Sequence, residues 1–275
     1  MPGSSLGPGE VSGLARRLHE VLRLRTRPVG VKLLEVDPDE SGLPLFRPLR
    51  DFRRRMTLCQ AVALARYYGW PVGLGLDDMS CPGSIVIFGL AEMPEYFRDG
   101  SISAGLYTED KELGEKLDSH LPRLPVGRFR GVAVYSLLDA IETPDVVVFY
   151  GTPGQMTKFA AAVAYKTGEP VRLEAMGKAG SCSAIARAYL DGKPYLSLPG
   201  LGDRTLAWTM DDEMAAALPI GWLRDLVEAM EAQDKTEVLT YPPKPFLFYE
   251  FKFKNLPVIG VYYDRFLKEL RGGKP

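Results

Sequence analysis

Apolar positions recur with a helical period through residues 10–25, where Val11, Leu14, Leu18, Val21 and Leu22 share one stripe. Residues 28–34, PVGVKLL, change to a β-rich run and predict a strand. A loop rich in Pro and Arg carries the chain to about residue 54, and the alanine-rich stretch 56–68 predicts a second helix. Short strands are expected around 71–76, 132–138, 146–150, 170–173 and 195–198. Helices are expected over 103–121, 155–167, 183–190 and 221–233. One more is expected to start at Asp211-Asp212-Glu213 and run to about Ala217, because carboxylates favour a helix N-terminus. The apolar stretch 84–90 fits a helix or a strand equally well by period. Past the break Tyr241-Pro242-Pro243-Lys244-Pro245, the pattern predicts a strand over 256–263 and a terminal helix over 264–271. Strands that alternate with helices predict an α/β fold with a mainly parallel or mixed sheet and flanking helices.

Three segments follow from this pattern. Residues 1–9 are rich in Gly and Pro and are expected to be a disordered lead-in. Residues 10–240 form the α/β domain, and 241–275 a C-terminal extension packed on it. No linker is long enough to force a second domain.

A faint internal repeat crosses the domain. Residues 59–72, CQAVALARYYGWPV, overlay 158–171, KFAAAVAYKTGEPV, with shared Ala, Gly and Pro-Val positions. A shift of two then superposes Ser80-Cys81 on Ser181-Cys182. Each copy reads as a helix, a Gly stop, a Pro-Val strand and a Ser-Cys turn. Two copies facing each other would bring Cys59, Cys81 and Cys182 to one point, with Lys158 where symmetry would place a fourth cysteine. Chance recurrence of alanine-rich helices is the competing explanation.

Composition narrows the chemistry. The 275 residues carry 34 Lys and Arg against 35 Asp and Glu, a balance that argues against a dedicated nucleic-acid surface. The basic run from Arg47 to Arg55 reads as a solvated loop or an anion-binding patch. No apolar run reaches the length of a membrane span, and the N-terminus has no signal-peptide pattern. Three widely spaced cysteines make no disulfide framework and point to the reducing cytoplasm. With only His19 and His120 present, a histidine-based triad or metal centre is not expected. Zinc would need three cysteines plus water or an acid. The glycine pairs Gly73-Leu74-Gly75 and Gly200-Leu201-Gly202 fit neither a P-loop nor a dinucleotide fingerprint.

The flanks of the cysteines carry more. Cys81 lies in Ser80-Cys81-Pro82-Gly83, where Ser80 and Pro82 fit a helix start and the dipole favours a thiolate. Cys182 lies in Gly180-Ser181-Cys182-Ser183, and Cys59 opens a helix beside Gln60. Inert buried cysteines remain the plain alternative, since none of this is the close C-x-x-C spacing of a strong metal motif. Arg204, in Gly202-Asp203-Arg204, is a candidate anchor for an anion or carboxylate; a surface loop is the alternative there.

Taken in order, Pro28-Val29-Gly30-Val31-Lys32, Cys59-Gln60-Ala61, Ser80-Cys81-Pro82-Gly83, Val146-Val147-Val148, Gly180-Ser181-Cys182-Ser183, Pro199-Gly200, Gly202-Asp203-Arg204 and Asp211-Asp212-Glu213-Met214 resemble the DUF169 family. The resemblance runs from about residue 13 to 235. It implies that the three cysteine motifs are family features, and it brings no activity with it.

Three thiolates with one open position suit soft metals and iron–sulfur chemistry. The expected centre is a [4Fe–4S] cluster on Cys59, Cys81 and Cys182, its fourth iron free to bind a substrate or act in redox, with Lys158 and Arg204 on the substrate side. A [3Fe–4S] cluster, or a fourth ligand from another group, stays open. Such a centre serves a lyase or an oxidoreductase. The competing readings are a cluster-free protein that binds a small anion, and a thiol enzyme with Cys81 as nucleophile. The expected partner is a small molecule, with neither nucleic acid nor membrane; a homo-oligomer is left open.

Overall fold

Apolar runs rich in valine, Val29–Leu34 and Val146–Gly151, form the middle of a seven-stranded sheet. The structure, a computed structural model, describes residues 6–236, 239–243 and 257–271. The strands are β1 Val29–Leu34, β2 Val72–Gly75, β3 Gly131–Ser136, β4 Val146–Gly151, β5 Arg172–Glu174, β6 Tyr195–Ser197 and β7 Met214–Pro219. The helices are α1 Pro8–Leu22, α2 Pro48–Phe52, α3 Leu58–Tyr68, α4 Pro82–Ile87, α5 Glu95–Arg98, α6 Lys111–Ser119, α7 Pro153–Thr167, α8 Gly180–Asp191, α9 Leu201–Leu206, α10 Leu223–Asp234 and α11 Pro257–Leu270.

The strand order is β2-β3-β1-β4-β7-β6-β5. Only β5 and β6 pair in parallel; the other neighbours are antiparallel. The fold is therefore α/β with a mixed sheet, as the alternation of elements predicts. Side chains alternate across the sheet. Val146, Val148 and Tyr150 of β4 face a core shared with α3 and α8. Val147 and Phe149 face a second core shared with α1, α7 and α10.

The helix over Asp211–Ala217 is absent. Residues 214–219 are instead strand β7, between β4 and β6. Alanine favours helices in isolation, but Ala215, Ala216 and Ala217 are fully buried between the two layers. The small side chains let helices approach the sheet on both faces. The acidic residues do other work: Asp212 pairs with Arg25 and Glu213 with Arg66. The tail differs as well. Residues 257–263, expected as a strand, belong to α11, while residue 256 lies outside the described residues. Of the expected lead-in, residues 1–5 lie outside the described residues, while α1 begins at Pro8 and Leu6 packs against the second core. Of the C-terminal extension, Tyr241 contacts the start of α7 through Thr152.

The basic run is solvent-exposed at Arg50, Arg53, Arg54 and Arg55, and Arg47 is its one buried arginine. Arg47 is held between Asp78 and Asp37, at 2.6 and 2.8 Å, and its side chain is 10% exposed.

The two repeat stretches have the predicted order of elements but different placement. Helix α3 starts with a capping box between Thr57 and Gln60, and α7 with one between Thr152 and Gln155. Both end on a glycine with positive φ, Gly69 and Gly168. Counted from those glycines the alanines match, yet α7 is one turn longer at its start. Lys158 is therefore in the second turn of α7 and not at the position Cys59 holds in α3. The two helices also pack on opposite faces of the sheet.

The α3 cap has a measurable weight. Thr57→Ala is expected to lower stability by about 1 kcal/mol, the usual cost of losing an N-cap oxygen, and Thr57→Ser to keep most of it. Urea unfolding of the metal-free protein checks this; an unchanged midpoint in Thr57→Ala would show that the cap is idle.

Candidate functional site

Three elements on the first face each present one cysteine from the first turn or cap of a helix. Cys59 is the second residue of α3, after the N-cap Thr57. Cys81 is the N-cap of α4, with Pro82 at the first helical position. Cys182 is the third residue of α8. Helix α3 packs on α8 and α9, and α4 packs on α8, which draws these ends together. All three cysteines are free and half-buried.

The thiols lie within reach of one another's charge. Burial pushes the Cys59 thiol up to about 11; the Thr57 hydrogen bond at 3.0 Å opposes this, and Asp203 and Cys81 add to it. Burial also raises Cys182 well above its ordinary value, and Asp203, Cys59 and Cys81 push in the same direction. An uncharged thiol is a poor nucleophile. In the metal-free protein, alkylation of Cys59 by iodoacetamide is therefore expected to stay slow through pH 9 and to accelerate only towards pH 11. Rapid modification at pH 8 would contradict this. The sign for stability follows the same shift. The unfolded thiol ionises near 9.0 while the folded one keeps its proton, so the metal-free fold loses stability as pH rises from about 9 to 11.

Around the thiols is a buried polar frame. Asp203, 5% exposed, accepts from the Gly200 backbone N–H at 3.0 Å and is hydrogen-bonded by Ser181. Burial raises the Asp203 carboxyl, and the Ser181 and Gly200 bonds partly oppose it. The Tyr150 hydroxyl is 2.7 Å from Ser181 Oγ. Burial, with the Asp203 charge adding, drives the Tyr150 phenol up. The guanidinium of Arg66 lies over the Tyr150 ring, 4.0 Å from its centroid, and pairs with Glu213 at 2.7 Å. Cys59 Sγ is 3.7 Å from the Gly202 carbonyl oxygen, which ties the α9 turn to the thiols.

Two of the predicted residues lie elsewhere. Lys158 is buried on the opposite face and ion-paired with Asp234 of α10. Arg204 donates to the Met210 carbonyl at 2.7 Å and is 3.7 Å from Asp211, so its guanidinium braces its own loop. In the Gly202-Asp203-Arg204 motif it is Asp203 whose charge reaches Cys59 and Cys182, while it is hydrogen-bonded to Gly200 and Ser181. Its signal was the Gly200-x-x-Asp203 spacing of a helix start, in which the side chain at the third position returns to the cap N–H. Tyr150 and Ser181 were legible only as a strand residue and a cysteine neighbour.

Among the described residues, no three His, Cys, Asp or Glu side chains close around a single metal ion. The thiols thus do not form a mononuclear zinc shell. A four-iron cluster makes a different demand, since each iron takes its own protein ligand and the ligands stand further apart. Three thiols from separate elements, half-buried on one face, fit that donor set.

A family model for DUF169, described as an uncharacterised ArCR family, matches residues 17–229. A protein of Methanocaldococcus jannaschii, described as uncharacterized protein MJ0308, is 26% identical over 226 residues, which cover 81% of this chain and 94% of that protein. No solved structure matches. Among the described residues, no helix is long and apolar enough to cross a membrane.

Proposed function

The chain belongs to the DUF169 family, and we propose that its three cysteines hold a [4Fe–4S] cluster that binds a small molecule at its fourth iron or passes electrons. The observation that carries this reading is that α3, α4 and α8, whose starts hold Cys59, Cys81 and Cys182, pack on one another on one face of the sheet although the cysteines are far apart in sequence. Crowding two raised thiols with a third and a carboxyl is unfavourable in a metal-free protein, and a coordinated metal reverses it by deprotonating the thiols outright. The cluster supplies a Lewis-acidic iron or a one-electron centre. The chain supplies the rest: Cys59, Cys81 and Cys182 as ligands, and Tyr150 and Ser181 as a buried, hydrogen-bonded wall that limits water. Three free thiols suit a reducing compartment, and we place the protein in the cytoplasm.

The raised Cys59 and Cys182 thiols are poor nucleophiles; the competing thiol enzyme is built on Cys81, and their shifts do not count against it. The cluster-free binder loses its anchor, because Arg204 is spent on Met210 and Asp211.

The test is anaerobic purification followed by iron and sulfide analysis. About four of each per chain and a broad brown absorption are expected from one cubane. A colourless protein that takes up neither element on anaerobic reconstitution would overturn the reading.

A further inference from the structure

Among the described residues, four acids are almost fully buried: Asp78, Asp118, Asp203 and Glu213. Three have a cation against them. Asp78 is paired with Arg47 at 2.6 Å, Glu213 with Arg66 at 2.7 Å, and Asp118 with Lys178. Among the described residues, Asp203 has no ion pair. Buried charges in proteins are paired or bind metals, because an isolated carboxylate in a low-dielectric interior is costly. The exception is therefore informative, and it falls beside the three thiols.

We propose that Asp203 is the fourth protein ligand of the metal–sulfur centre, a carboxylate that holds the iron the three cysteines leave free. The inference rests on the cluster reading above and completes it.

The placement supports the role. Four helix starts meet here, and each brings one metal-binding side chain: Cys59 from α3, Cys81 from α4, Cys182 from α8 and Asp203 from α9. Asp203 is also tied to the neighbours of two of those thiols. It accepts from Ser181, next to Cys182, and the Gly202 carbonyl beside it contacts Cys59. The Ser181 and Gly200 bonds fix the carboxyl in place, and the Arg204 charge acts on it from beyond ion-pair distance, its guanidinium being held by Met210 and Asp211; hydrogen bonds of this kind are how ligating carboxylates are oriented. The chemistry then differs from that of a four-cysteine cluster. A carboxylate is a hard donor and holds iron less firmly than a thiolate, so a substrate oxygen, nitrogen or sulfur can displace it. The fourth iron is capped at rest and opens on demand.

The experiment compares wild type, Asp203→Asn and Asp203→Cys after anaerobic reconstitution with iron and sulfide. Asparagine keeps the shape and the acceptor for the Gly200 N–H but not the charge; cysteine supplies a firmer ligand. The readouts are iron per chain, the Mössbauer signal of the distinct iron, and the rate at which ferricyanide converts the cluster to the [3Fe–4S] form seen by electron paramagnetic resonance. The expected result is loss of the fourth iron at least several-fold faster in Asp203→Asn than in wild type, and several-fold slower in Asp203→Cys, with an altered distinct-iron signal in both. Equal loss rates and one unchanged signal in all three proteins would overturn the Asp203 assignment and leave the three-cysteine cluster standing. Wild-type protein without iron would overturn both. If Asp203→Asn holds no iron at all, Asp203→Cys decides: four irons that resist oxidation support the assignment, and a cluster as labile as wild type overturns it.

Discussion

Replacing Cys59, Cys81 or Cys182 with serine is expected to reduce the iron bound by the reconstituted protein to a small fraction of wild type, and to a similar degree at each position. A serine hydroxyl occupies nearly the same volume, but it ionises far less readily than a thiol and is a hard donor, so it holds iron poorly. Metal binding couples to the whole ligand set: the free energy of a structural metal site is about 10 kcal/mol or more, and loss of one donor removes much of it. The single substitutions leave the fold itself almost untouched, because all three side chains are half-buried and lie at helix starts, not in the centre of either core. Circular dichroism of each metal-free variant should match that of the metal-free wild type. Iron and sulfide analysis gives the decisive number. A variant that keeps the full iron content identifies a residue that is no ligand and removes the three-thiolate model.

Arg66→Met is expected to destabilise the metal-free fold by about 3–5 kcal/mol, the usual cost of breaking a buried ion pair from one side. Arg66 is 1% exposed and Glu213 3%. Removing the guanidinium leaves the Glu213 carboxylate in the interior without its cation, with only the Met210 N–H at 2.9 Å left as a donor. The Trp208 carbonyl and the Tyr67 hydroxyl, at 3.3 and 2.6 Å from Arg66 Nη2, lose a donor too. Small domains are stable by about 5–15 kcal/mol, so this is about a fifth of the total at the least. The double variant Arg66→Met/Glu213→Leu should recover much of the loss, since a buried ion pair replaced on both sides by apolar groups is often neutral. Urea unfolding measures both. A loss below about 1 kcal/mol in Arg66→Met would mean that the pair is solvated in solution. The same variant separates support from chemistry: Arg66 stacks on Tyr150, whose hydroxyl meets Ser181 beside Cys182, so reconstituted Arg66→Met protein is also expected to lose iron faster.

The local elements were legible because their causes are local. Thr57 and Gln60 cap α3 from three residues apart, Gly69 ends it, and Val29–Leu34 and Val146–Gly151 need only their valine-rich apolar runs. The three cysteines could be singled out for the same reason, since Gln60 beside Cys59 and the Ser, Pro and Gly neighbours of Cys81 and Cys182 mark helix starts. The tail from residue 256 to 263 was read as a strand because an apolar run has no period long enough to decide; the described part is helical.

The sequence by itself determined the α/β class, most of the strands and helices, and the three thiols as the residues most worth following. Tertiary structure alone decided the rest. Strand β7 took residues of high helix propensity because burial on both faces of a sheet outweighs a few tenths of a kcal/mol per alanine. Lys158 left the candidate site because one extra turn and the opposite face of the sheet separate α7 from α3, a difference that identical alanine spacing conceals. Asp203 entered it because whether a buried acid has a cation partner depends on residues brought together from distant parts of the chain, and the spacing of residues along one segment carries no record of that.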